Sequence, residues 1–283
     1  MDQAALWIIS HEKGLRLCGF AGTFLLMALW EGLSAARVPR VPRSLRWPHN
    51  LGLTIFNTLL VRVLFPSSAL GAALWASARH FGLLNRWPLP GVSSILAGVV
   101  LLDLVIYGQH RAFHAVPLFW KFHRMHHTDL EMDVTTGIRF HPVEMAASML
   151  VKVSFTALFG VPALGVFLFE LILNASSLFS HSNIRLPPAL DRGLRWLVVT
   201  PGMHLIHHSV LRLETDSNFG FNFSFWDRLA GTYRAEPRQG REKMKIGLEY
   251  FRGRRYLRLD RLLLQPWMDP RGRAAAGNLA LKD

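Results

Sequence analysis

Cysteine is nearly missing from this chain: Cys18 stands alone among 283 residues. No intramolecular disulfide can form, and one thiolate cannot hold an iron–sulfur cluster. Acidic residues are also few, 19 against 32 Lys and Arg, for a net charge of +13. That excess does not point to nucleic acid, because the basic residues sit in blocks beside apolar runs. Arg37, Arg40, Arg43 and Arg46 lie within 37–47 with no acid among them, and from Thr232 onward 13 basic residues face 6 acidic ones. Membrane orientation and anionic headgroups produce this distribution. There is no internal repeat, no low-complexity segment and no His-Pro-Gly-Gly haem motif, so residues 1–283 read as a single membrane domain.

What is abundant is apolar length. The chain is 51% apolar with a mean hydropathy of +0.22, and the apolar residues gather into runs. Residues 17–36 form the first, with Glu31 as its only charge. Residues 51–78 form the second, interrupted by Arg62 and by Pro66-Ser67-Ser68, and residues 92–107 the third. Residues 143–179 are long enough for a hairpin of two helices, with Gly160-Val161-Pro162 near the middle. The expectation is an all-α integral-membrane bundle of four to five spans. Residues 51–78 fit one tilted span or a half-span plus an interfacial helix.

The other excess is histidine, 13 in all, six of them within 107–144. His110 and His114 are four apart where the third run ends, so their rings share one helical face. Tyr107 and Asp103 continue that face backward. An aspartate inside an apolar run needs a partner, and Asp103 is expected either to accept a proton from an imidazole of the cluster or to play a structural role. His123, His126 and His127 follow at i, i+3, i+4, behind a helix start at Pro117, and His204, His207 and His208 repeat the spacing behind Thr200-Pro201. Eight neutral imidazoles crowded at span ends imply a shared cation. The nitrogen-only set excludes Mg²⁺ and Ca²⁺ and suits Fe, Zn, Cu or Ni, and the scarcity of carboxylates excludes the Glu-rich di-iron bundle. Span counting puts all these groups on one side. The basic link 37–46 and the basic C-terminal segment join them there if the first two runs both cross, which makes it the cytoplasmic side. The segment 236–283 reads as amphipathic structure on the interface, a packing and anchoring element.

In order and spacing, His110-x-x-x-His114, His123-x-x-His126-His127 and His204-x-x-His207-His208 resemble the eight-histidine signature of the fatty acid hydroxylase/sterol desaturase superfamily, over about residues 95–235. The stretches 133–144, 214–220 and 226–233 are similar to its bacterial sterol-desaturase-like branch, which in turn resembles the alkylglycerol monooxygenases. The resemblance implies a cytoplasmic helical cap carrying two non-haem irons, with zinc a substitute in a purified sample. It also implies O₂ as oxidant and an apolar substrate drawn from the bilayer. His181 and His141 are the further ligand candidates it implies, with His141 alternatively a helix cap or an outer hydrogen-bonding partner. Glu144, Asp216 and Asn218 are near enough in sequence to serve as hydrogen-bonding partners of the ligands, with ordinary salt bridges or helix-end charges the plainer reading of the two carboxylates. The electrons must come from a separate carrier protein or a reduced pterin.

The implied reaction is hydroxylation of an unactivated C–H bond of a sterol, fatty acyl or ether lipid. Desaturation at the same centre is the alternative, and a non-redox metal transporter or sensor a remoter one. A transporter places its polar ligands near mid-span, whereas these clusters sit just past span ends. Oligomeric state has no signature here.

Overall fold

A computed structural model describes residues 3–87 and 89–269. Through the part that positions the site, the helices are α1 (Gln3–Ser10), α2 (Glu12–Leu33), α3 (Trp47–Leu64), α4 (Ser68–Ala78), α5 (Leu83–Arg86), α6 (Gly91–Ala115), α7 (Pro117–His127), α8 (Pro142–Phe159), α9 (Ala163–His181), α10 (Pro188–Leu194) and α11 (Pro201–His207). Among the described residues, β-pairing is confined to three isolated bridges. Five segments are long and apolar enough to cross a membrane: α2, the stretch 43–86, α6, α8 and α9. Their outward faces carry Leu25, Leu29, Ile55, Val63, Leu96, Leu150 and Leu158 in exposed positions, the arrangement expected where the surrounding solvent is hydrocarbon.

The second apolar run is one broken crossing. Pro66 has no amide to continue α3, and the chain restarts at Ser68 as α4. At its start Arg46 and Asn50 bond to Asp129 and Thr135, beyond the N-terminal end of α8. At its finish Gly82 (φ 95°) lies against Gly160 at the other end of α8, where a Cβ would come within 2.3 Å of the Gly160 amide nitrogen. Gly160 itself takes the left-handed conformation (φ 64°) that closes α8, and Pro162 precedes α9, so the hairpin turns where the sequence places it.

Small side chains let the bundle close around Ala69, Ala73, Val99, Leu102, Val161, Val166 and Phe169, the core shared by α4, α6 and α9. Glu170, midway along α9, accepts from both Arg16 of α2 and Lys152 of α8, so these three charges inside the bundle are paired. The C-terminal end of α2 meets that of α9: Glu31 accepts from the amides of Val134 and Asn183 and from Arg43.

The C-terminal segment is a packing element. Through residue 269 it is a chain of short turns packed on the bundle, with Leu262 buried between Leu53 and Met125. Arg124 of α7 donates to the carbonyls of Gln265 and Met268. Specific burial decides its path, and the remainder of the expected amphipathic segment, residues 270–283, lies outside the described residues. Arg46 corrects the reading of the basic link as a purely flanking block. It is fully buried, held by Asp129 and Asp133 at 2.6–2.8 Å.

Candidate metal centre

The histidines arrive on four helix ends. His110 and His114 close α6, and His123, His126 and His127 close α7 after the Pro117 start. His181 closes α9. α11 begins at Pro201 with the Thr200 hydroxyl accepting from the Met203 amide, and carries His204 and His207, with His208 as its C-terminal cap. Their nitrogens converge into two groups: His110, His114, His123, His127 and His207 in one, His126, His181, His204 and His208 in the other. The ligand atoms of each group lie within 4.8 Å of one another, and all nine residues are buried. Each i, i+3, i+4 triplet is divided the same way. The i, i+4 pair, about 40° apart on its helix, serves one group, and the third histidine turns to the other. The groups abut, with the His127 and His208 rings stacked at 4.6 Å.

The rings fit transition-metal ions. Burial pushes the imidazoles of His126, His127, His204 and His208 well below the ordinary histidine range, and their neighbours push the same way. Burial takes His207 down to about 3. The rings are therefore neutral, each with one bare nitrogen. His126 and His181 give their Nδ1–H to the carbonyls of Arg139 and Ser177, at 3.2 and 2.7 Å, which leaves two bare Nε2 atoms facing each other at 3.1 Å. Two lone pairs at that distance repel unless a cation lies against both. Metal–nitrogen bonds of about 2.1 Å at a right angle put ligand nitrogens about 3 Å apart. His110 and His207 likewise donate Nδ1–H to the carbonyls of Phe219 and Ser217, both at 2.8 Å, and their Nε2 atoms are buried without partners.

Carboxylates back only the five-histidine group. Glu144 meets His123 Nδ1 at 2.6 Å, and Asp216 meets His114 Nδ1 at 3.2 Å while accepting from Arg212.

Four expected residues are placed elsewhere. His141 lies outside both groups: its Nδ1 accepts from the Val143 amide as the cap of α8, and its Nε2 meets the Leu263 carbonyl at 3.1 Å. Asp103 touches no imidazole. It accepts from the amides of Asn222 and Phe223 and from Trp226 Nε1, because the 219–226 loop tucks in two helical turns below His110. The Tyr107 hydroxyl meets Thr232 Oγ1 at 2.9 Å. Asn218 (φ 53°) ties the carbonyls of Met203 and Arg234 together from a left-handed turn. These three hold the loop that presents the Ser217 and Phe219 carbonyls to the rings.

The groups the sequence reading did not find are those carbonyls, together with those of Arg139 and Ser177, and the aromatic neighbours. Phe140 stacks on His126 at 4.7 Å, and Trp120 lies 4.9 Å from His114. A backbone oxygen has no residue type to betray it. The run Phe140-His141-Pro142 was visible, and only its phenylalanine reaches the rings.

A bundle of membrane-spanning helices with buried all-imidazole groups at one end defines the class: an integral-membrane metal-binding protein. Residues 95–232 match the family described as Fatty acid hydroxylase, the superfamily that the chain's histidine motifs resemble. The chain is 27% identical to the ornithine lipid hydroxylase OlsE of Rhizobium tropici over 77% of this chain and 67% of that one. It is 28% identical to human alkylglycerol monooxygenase over 62% of this chain and 37% of that one. To the fatty acid hydroxylase vlmA of a Lecanicillium species it is 25% identical over 78% and 67%. The chain thus spans between about a third and two thirds of these relatives' lengths. No solved structure matches it.

Proposed function

We propose that this protein hydroxylates an unactivated C–H bond on the aliphatic part of a membrane lipid, using O₂ at a pair of non-haem irons. The observation that carries this reading is the juxtaposition of two buried all-imidazole groups at one end of a five-span bundle. His110, His114, His123, His127 and His207 hold one ion, and His126, His181, His204 and His208 the other. When bound, the irons supply O₂ activation and the oxidising power for the C–H bond.

The chain supplies the rest. Backbone carbonyls and two carboxylates fix the tautomers, so that each oriented ring offers Nε2. Phe113, Phe140 and Phe219 pack against the rings and exclude water from them. Outward apolar faces on the spans seat the protein in the hydrocarbon layer where such a lipid resides. Relatives named for ornithine lipid and for alkylglycerol support a substrate with a polar head and a long chain, and favour hydroxylation over desaturation. The electrons come from a separate carrier protein or a reduced pterin. Zinc would satisfy the same nitrogens without redox chemistry. We place the centre on the cytoplasmic face because Arg37, Arg40 and Arg43 of the basic link lie at its end of the bundle, the distribution that positive-inside orientation favours.

Host lipids compared by mass spectrometry with and without the protein test the reading. A lipid gaining one oxygen supports it; loss of two hydrogens means desaturation. Absence of metal-dependent O₂ consumption with every candidate lipid and donor returns the chain to the transporter class.

A further inference from the structure

The two groups of histidines are not built alike. In the five-histidine group, four of the five rings have the nitrogen opposite the centre occupied. Glu144 takes His123 at 2.6 Å, Asp216 takes His114 at 3.2 Å, and the carbonyls of Phe219 and Ser217 take His110 and His207 at 2.8 Å each. Of the nitrogens turned away from the centre, only His127 Nδ1 is without a partner, the bare Nε2 atoms of His110, His114 and His207 being the ones that face it. In the four-histidine group two rings are so held, and by neutral oxygens alone: His126 by the Arg139 carbonyl, and His181 by the Ser177 carbonyl with the Ser180 hydroxyl at 3.3 Å. His204 Nδ1 and both nitrogens of His208 are buried without partners.

A carboxylate on the far nitrogen raises imidazole basicity and locks the ring, whereas an unpartnered ring is oriented by packing alone. From this asymmetry we propose that the two metal positions are unequal: the five-histidine group retains its ion, and the four-histidine group exchanges its ion first. The inference rests on the two-ion reading above and adds the order of loss, with Glu144 and Asp216 as the positioning residues that set it. Removal of such an outer partner weakens metal binding by about 10- to 100-fold in other sites. Loss of Glu144 is therefore expected to bring the two positions close together.

The test follows metal release, not turnover. The full chain in detergent is loaded with Co²⁺, whose visible bands report nitrogen ligation, and then challenged with excess chelator. Two phases of one equivalent each are expected, their rates separated by about tenfold or more. Glu144→Gln should speed the slow phase by about tenfold and leave the fast phase unchanged. His208→Ala should delete the fast equivalent alone. Asp216→Asn, on a half-exposed side chain, asks the same question of the slow phase if the Glu144 variant does not fold. Release of both equivalents in one phase, acceleration of the fast phase by Glu144→Gln, or loss of the slow phase in His208→Ala overturns the proposal while leaving the two-ion reading intact. A wild-type chain that binds no Co²⁺ overturns the two-ion reading itself.

Discussion

A single ring nitrogen is the smallest unit that matters in this protein, and its role is set by the atom on the other side of the ring. His126 and His207 show this, each with Nδ1–H committed to a carbonyl and Nε2 bare. Replacing either by alanine should abolish turnover and remove at least one equivalent of metal, measured by elemental analysis of the purified variant. His141→Ala and His80→Ala should keep the full metal complement, since His141 is spent on capping α8 and His80 belongs to neither group. Metal loss in either would mean the ligand set is wrong. Asp103 behaves differently again. Asp103→Asn presents an amide where three N–H groups point, so it should cost about 1–3 kcal/mol in an unfolding titration. Metal content should change only as far as the 219–226 loop shifts.

Between residue and bundle, the helix ends decide whether rings meet. Gly137 packs on α9 so closely that a Cβ would lie 2.6 Å from the Ser177 carbonyl oxygen, the same oxygen that orients His181. Gly137→Ala should therefore displace that carbonyl and lower metal occupancy in the four-histidine group, read as a fall toward one equivalent per chain; full occupancy would show the contact to be yielding. Acid should act on α11. His207 in the folded chain titrates at about 3, against 6.5 ordinarily. As pH falls through that window the unfolded chain takes up a proton that the folded chain refuses. Stability of the metal-free protein should thus decline as pH drops from about 6.5 toward 3, and be undiminished above it. Thermal unfolding of metal-free protein followed across that range checks the sign, and a flat or rising profile on acidification contradicts it.

Taken whole, the molecule is a bundle whose crossings alternate direction, so that the ends of α2, α6 and α9 and the starts of α3 and α8 all lie at the histidines. The opposite end holds the Gly82–Gly160 contact. Lys121 and Arg79 are exposed at these two ends. In a Cys18→Ser background, Lys121→Cys should react with an impermeant thiol reagent only when the cytoplasmic face is open to it. Arg79→Cys should react only from the other face. The reverse pattern would place the centre on the wrong side of the bilayer.

Much of this was legible in one dimension, because membrane crossing and helical periodicity are themselves one-dimensional constraints. A hydrocarbon core demands long apolar runs, and rings that share a helix face must recur at three or four residues. The spans, the three histidine clusters and the turn at Gly160 followed from that. The spacing 123, 126, 127 shows that three rings lie close together, but not that they divide between two groups. That division depends on which helices face one another. Arg46 reads as a membrane-flanking charge until Asp129 and Asp133, more than eighty residues on, are brought to it. Asp103 and His141 sit at the right positions on the right helices, yet a loop amide and a helix amide reach them first. Which donor finds which acceptor across distant parts of the chain is a matter of packing, and only the folded arrangement of α6, α7, α9 and α11 decided it.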